Sequence, residues 1–289
     1  MRACSSTLAS PGREAHLDPS RHHQQAPADV SCDTCAVTRT LLAFFLLTFL
    51  ASWGCFIAAA AFGGGTLLPS TGAAGTNGPI FLLGVFAPSL VAIGLTARSE
   101  GRSGVAALLR RIAHLPTGVE WYVFAVGYMA AIKLTAALLH RVVVGAWPPF
   151  GPTPVYIMAG AIIISTFVQA GEEVGWRGYA LPRLANRVGL ATASVVLGVA
   201  WACWHLPLFL ISGTDTSGQS FPVYLVGVTA LSVPMAWLYW RTQGSLFLTM
   251  LMHAAINNTK DIVPSGGSAA ASPFTLNASL MSCLTAAVL

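Results

Sequence analysis

The sequence predicts an all-α, polytopic transmembrane helical bundle of about eight spans with one interfacial amphipathic helix. Three observations carry this. Of the 289 residues, 55% are apolar and only 9% are charged, against roughly 25% charged in soluble domains. The mean hydropathy is +0.67. The apolar stretches are long and continuous, whereas an outer-membrane barrel shows short alternating segments. So few charges cannot cover a soluble surface of this size. A soluble enzyme, a nucleic-acid-binding domain and a disordered regulator are therefore excluded.

Residues 1–37 are polar, rich in Ser, Pro and His, and lack the apolar core of a cleavable signal peptide. They are expected to form a disordered cytoplasmic tail, leaving residues 38–289 as the membrane domain. Cys32 and Cys35, near His22 and His23, are half of a metal or redox pair without evident partners. The six cysteines form no disulfide framework.

A helix needs roughly 20 apolar residues to cross a bilayer. Stretches 40–62, 79–97, 119–140, 153–173, 191–211, 221–240 and 244–259 fit, with a weaker eighth at 270–289. Segment 101–115 has leucines at helical spacing, with Arg110 and Arg111 on the other side. It reads as a helix lying in the interface. With the N-terminus inside, cytoplasmic segments hold nine arginines: 39, 98, 102, 110, 111, 177, 183, 187 and 241. The outer segments hold only Arg141 and Lys260, and loops 63–78 and 212–220 hold no Lys or Arg. This positive-inside bias supports eight spans with both ends in the cytoplasm. Arg outnumbers Lys 13 to 2, and Ala and Gly are abundant. The expected setting is a bacterial inner (plasma) membrane.

Ionisable groups inside spans are costly, about 2.5–3.5 kcal/mol at a helix centre by insertion scales, and mark function. They cluster in three places. In Gly171-Glu172-Glu173-Val174-Gly175-Trp176-Arg177, Glu173 and Arg177 are four apart and can pair, or can simply mark the end of the span. Glu172 points about 100° away, with Trp176 on its own face and no local partner. Such a carboxylate in a low-dielectric cleft suits general-base work. His205 lies deep in a span, within Trp201-Ala202-Cys203-Trp204-His205-Leu206-Pro207, where Pro207 breaks backbone bonding. His253 and Asn257 are four apart and share one helix face. Counted from the cytoplasmic ends at about 1.5 Å per residue, all three sets lie about 5–20 Å deep. They can meet in one cavity. A carboxylate, two imidazoles and an amide can activate a water and stabilise an oxyanion. Glu172, His205 and His253 can equally bind a zinc with an open position.

The pattern Glu172-Glu173-xxx-Arg177, then an aromatic four residues before His205, then His253-xxx-Asn257, resembles the three motifs of the CAAX protease and bacteriocin-processing (CPBP, or Abi) family of intramembrane endopeptidases. The flanks 204–209 and Gly244-Ser245-Leu246 resemble it too, and the motif core covers about 153–260. One departure is Trp201, where the second motif usually has Phe. The resemblance implies hydrolysis of a peptide bond in a membrane-associated peptide or protein. It implies that Glu172 and His205 activate water, and that His253 and Asn257 hold the oxyanion. Glu173 and Arg177 would support the site. It leaves open a zinc cofactor or a metal-independent Glu/His mechanism. Trp176, Trp201 and Trp204 are candidates for a substrate groove.

The alternative is a non-catalytic membrane protein of the same fold, acting in bacteriocin immunity or protein anchoring. The presence of all four catalytic-type residues favours the enzyme. A transporter would need an internal repeat or a pair of unwound helices, and neither is evident. Lys133, mid-span, is expected to be buried against backbone or to snorkel. His140 ends the same helix. Asn277-Ala-Ser matches a glycosylation triplet that a bacterium does not use.

Overall fold

A computed structural model describes residues 30–62, 78–211, 214, 216 and 219–263. The expected tail up to residue 29, loop 63–77, Asn277 and the expected eighth span at 270–289 lie outside the described residues. The side chains of Cys32 and Cys35 do too. The chain divides into two units, 1–36 and 37–289, and the bundle is the second.

The described residues are helical, with no strands among them. In order they form α1 (Val30–Phe62), α2 (Gly78–Arg110), α3 (Val119–Val144), α4 (Val155–Val168), α5 (Ala170–Glu173), a π-helical segment (Val174–Ala180), α6 (Leu181–Val188), α7 (Leu190–Trp204), α8 (Leu206–Leu210), α9 (Phe221–Arg241) and α10 (Leu246–Thr259). Six stretches are long and apolar enough to cross a membrane: Thr38–Phe62, Gly78–Ala113, Val119–Val144, Val155–Val188, Leu190–Leu210 and Phe221–Arg241. Their outward faces carry large apolar side chains, such as Leu42, Leu46 and Leu50 on α1 and Ile163, Ile164 and Phe167 on α4. In water these faces would drive association; against lipid they are at no disadvantage. This is an integral membrane protein.

Three expectations change in detail. The stretch expected to end at 173 runs on, through α5, the π segment and α6, to Val188. The charges of Glu172, Glu173 and Arg177 lower the local hydropathy, but all three are buried inside the protein. Arg177 is thus no loop charge, and Arg111 is not on an open face. Its guanidinium donates to Tyr239 Oη (2.5 Å) and the Gly178 carbonyl (3.4 Å). Finally, α10 has only 14 residues, about 21 Å at 1.5 Å per residue. It is buried nearly all round, from Leu246 to Thr259, and packs on α3, α4 and α9. A helix apolar on every side belongs at the centre of a bundle.

Several helices are irregular, and neighbours satisfy what the irregularity frees. Pro88 inside α2 has no N–H for the Gly84 carbonyl. Ser52 on α1 donates to that carbonyl at 2.8 Å. Ser89 donates to the Ala170 carbonyl at 2.6 Å, just ahead of the π segment. At Gly101 the backbone turns through φ 67°, so the expected interfacial stretch leaves α2 at a corner that favours glycine. Beyond it Arg102 and Arg110 are exposed and Leu108 is buried. The start of α10 is capped: Ser245 Oγ accepts from Leu248 N–H (3.3 Å) and donates to the His114 carbonyl (2.6 Å).

Gly175 lets the π segment press on α2. A Cβ there would lie 2.6 Å from the carbonyl carbon and oxygen of Pro88, which are backbone atoms. Gly175→Ala is therefore expected to destabilise the protein by about 1–3 kcal/mol. Gly127→Ala, where a Cβ meets nothing within 4 Å, is expected to be neutral. Thermal unfolding of both in detergent checks this; equal midpoints would show that the close approach is not a constraint.

Candidate active site

Each expected motif sits on a different part of the fold, two of them at breaks in regular helix and the third within the regular helix α10. Glu172 and Glu173 end α5, and Arg177 lies in the π segment. π-Bulges often accompany functional sites. His205 caps α7, and His253 lies in the middle of α10.

The break after α7 explains how His205 is aimed. Pro207 cannot continue the helical ladder, and the His205 N–H bonds instead to the Ala202 carbonyl at 3.1 Å. The carbonyls of Trp201 and Trp204 lose their helical partners. The indole N–H of Trp53 on α1 takes the Trp204 carbonyl at 2.9 Å. His205 Nδ1 takes the Trp201 carbonyl at 2.8 Å. A carbonyl only accepts, so Nδ1 carries the hydrogen. In the neutral ring Nε2 then holds a lone pair. The ring is boxed by Trp204 and Tyr224, with centroids 4.7 and 5.4 Å away.

The second half of the cluster is a sealed charge network. Glu173 and Arg177 are both fully buried. Glu173 Oε1 accepts from Arg177 at 2.8 Å and from His253 Nδ1 at 2.9 Å. Arg177 also donates toward Met235 Sδ at 3.3 Å, and its guanidinium carbon lies 4.3 Å from the Trp201 ring centroid. A buried cation is stable only with such compensation. The expected Glu173–Arg177 pair is present, and it ties α10 to the π segment through His253.

Glu172 is partnered from another helix. Its Oε2 accepts the Trp201 indole N–H at 2.8 Å, and its carboxylate lies within electrostatic reach of His205 and Arg177. It is 6% exposed, and His205 is half-buried. Glu173 and Arg177 are fully buried, whereas Glu172 and His205 keep some exposure. Glu172, His205 and His253 each neighbour Trp201: the carboxylate accepts its N–H, and both His rings lie within 6.0 Å of the indole. Asn257 stands apart. It is exposed, one turn beyond His253.

Of the three groove candidates, Trp176 and Trp204 are core residues. Both are essentially unexposed, packed edge-on to each other at 6.0 Å and against Phe44 and Phe56 respectively. Neither offers surface to a substrate, because helical spacing does not distinguish a groove-facing ring from one turned toward a neighbouring helix. Trp201 touches the site directly. Sequence reasoning missed Met235, Trp53 and Tyr224. For Trp53 a general signal existed: an indole N–H on an apolar span needs an acceptor, and a helix break at Pro207 frees carbonyls in the turn before it. Lys133 is buried, its ammonium donating to the Val263 carbonyl at 3.3 Å.

A zinc site with an open position takes three protein ligands. Among the described residues no group of three or more His, Cys, Asp or Glu side chains is placed to hold a metal ion.

The class defined so far is an integral membrane protein with a buried ionisable centre built across three helical segments. Comparison with known proteins narrows it. Residues 154–259 match the family described as type II CAAX prenyl endopeptidase Rce1-like. A CAAX prenyl protease 2 of Methanococcus maripaludis is 24% identical over 238 residues, covering 76% of this chain and 83% of the relative. Both matches support the CAAX-protease-like family to which the motifs point, and with it a membrane protease. The matched region runs from the start of α4 to the end of α10 and contains every residue of the cluster.

Removing Arg177 leaves Glu173 as an uncompensated buried charge. Arg177→Met is expected to cost about 3–5 kcal/mol. Glu173→Gln with Arg177→Met removes both charges and is expected to recover a large part of the loss. Unfolding midpoints of the two variants in detergent check this. No recovery in the double variant would show that the pair is not the unit of stability.

Proposed function

We propose that this protein is an intramembrane endopeptidase in which Glu172 and His205 activate a water against the carbonyl of a membrane-associated peptide or protein. The observation that carries the reading is the convergence of Glu172, His205 and His253 around Trp201, with fully buried Glu173 and Arg177 bonded to the same cluster.

Each role follows from which atoms are already engaged. Trp201 holds one oxygen of Glu172, so the other is available to a water. His205 Nδ1 is committed to a carbonyl, so Nε2 can accept the second water hydrogen. Two acceptors turn the water's lone pair toward the scissile carbonyl. Water attacks, its proton passes to Glu172, and the C–N bond breaks as that proton moves to the leaving nitrogen. The tetrahedral oxyanion needs donors. His253 is oriented by its Nδ1 hydrogen bond to Glu173, and would donate to the oxyanion from Nε2 when that nitrogen carries a hydrogen. Asn257, on the same helix and reachable from outside, would contribute its amide once substrate is bound.

The reaction proposed here is metal-independent. The positive-inside pattern, reduced to eight arginines by the burial of Arg177, supports a plasma-membrane setting with a cytoplasmic N-terminus.

The test is cleavage by purified protein in detergent, using quenched lipidated and unlipidated peptides. Glu172→Gln and His205→Ala are each expected to lower kcat by at least about 10²-fold, the scale of general-base loss, with the unfolding midpoint of Glu172→Gln unchanged. Asn257→Ala is expected to lower kcat by roughly 10²-fold. Dialysis against a chelator is expected to leave cleavage intact. Loss restored by zinc would overturn the metal-independent route. A folded wild type that cleaves nothing would favour the immunity or anchoring role.

A further inference from the structure

Trp201 makes four separate contacts with the ionisable cluster. Its indole N–H donates to Glu172 Oε2 at 2.8 Å. Its carbonyl accepts from His205 Nδ1 at 2.8 Å. Its ring face lies 4.3 Å from the Arg177 guanidinium carbon. The His253 ring meets it edge-on at 5.0 Å, with an interplanar angle of 79°. Nearly all of the side chain is buried, so these are its surroundings rather than a choice among many.

We infer that Trp201 is a positioning residue for the hydrolysis proposed above: its indole N–H fixes the Glu172 carboxylate so that one oxygen faces the water and the other is withheld. The inference rests on that hydrolytic reading and deepens it. The physical case is geometric. A carboxylate on a three-bond stem has several rotamers, and Arg177 lies within its electrostatic reach. Left alone, Glu172 is drawn toward that cation and away from His205. The indole prevents this in two ways. Its N–H anchors one carboxylate oxygen, and its ring offers the guanidinium a face to rest on. Arg177 is thereby kept on Glu173, where it belongs to the support. The backbone of the same residue orients His205, so Glu172 and His205 are registered to one residue on one helix. Such registration matters because misplacing a reacting group by about 1 Å can cost 10²-fold in rate. Phe in this position would keep the ring and the backbone bond but lose the N–H.

The decisive variant replaces Trp201 by 3-benzothienylalanine, which is isosteric but has sulfur in place of the N–H. Trp201→Phe accompanies it. A fluorotryptophan at the same site keeps the N–H as the conservative control. Measured against a cleaved peptide, the benzothienyl and Phe variants are expected to lose about 10- to 100-fold in kcat, the scale of a hydrogen bond to a charged group. KM is expected to stay within about twofold and the unfolding midpoint to stay near wild type. The fluorotryptophan variant is expected to retain wild-type kcat. The Trp201 indole ¹H–¹⁵N resonance reports the bond without any turnover; it is expected downfield in the wild type and to move upfield in Glu172→Ala. Wild-type kcat in the benzothienyl variant, or a resonance that ignores Glu172, overturns the positioning role. If the folded wild type cleaves nothing, the hydrolytic reading fails instead, and the resonance still separates the two outcomes.

Discussion

A guanidinium with no access to water must be compensated inside the protein, and Arg177 is such a group. It holds the Glu173 carboxylate, leans on Met235 and rests against Trp201. Glu173 in turn takes His253 from the short central helix α10. Burial of one charge thus fixes three elements relative to one another: the π segment, α7 and α10. Separated, α7 would withdraw the Trp201 face from Arg177, and α10 would withdraw the His253 hydrogen bond from Glu173, leaving the buried pair less compensated at low dielectric. The network strengthens because it is dry: Glu173 and Arg177 have no exposed surface, and the Trp201 ring lies against the guanidinium.

The rest of the architecture follows a related rule. In a bilayer every freed backbone group needs a protein partner. This bundle is rich in freed groups: the Gly84 carbonyl before Pro88, and the Trp201 and Trp204 carbonyls before Pro207. Side chains from neighbouring helices take two of them, Ser52 and Trp53. The third goes to His205, a proposed catalytic residue. One irregularity is therefore satisfied by the group whose orientation the chemistry needs. Breaks in the helices and placement of the site are two sides of one arrangement.

Much of this was legible beforehand. Continuous apolar runs and missing charge announce a helical membrane protein, and seven described helical segments begin within a few residues of where hydropathy places them. The polar residues stood out because hydrocarbon makes them expensive. The pairing of Glu173 with Arg177 followed from four-residue spacing alone. What was not legible depended on contacts between helices. Hydropathy ended a span at residue 173 because charges depress it, and it cannot see that these charges neutralise one another inside the bundle. It read α10 as a full span because a central helix and a lipid-facing one are equally apolar. Trp176, Trp201 and Trp204 looked alike in sequence, yet two fill the core and one donates to Glu172. A change from Phe to Trp at position 201 reads as one large aromatic for another; only the position of Glu172 gives its N–H a use.

The central claim is that residues from separate helices act together on one water. The most direct test is a kinetic double-mutant cycle on Glu172→Gln and His205→Gln, read as kcat on a cleaved peptide. Groups acting as a unit are grossly non-additive. The account predicts that the double variant falls no further than the worse single variant. Losses that simply multiply would show two independent contributions, and would contradict a shared water.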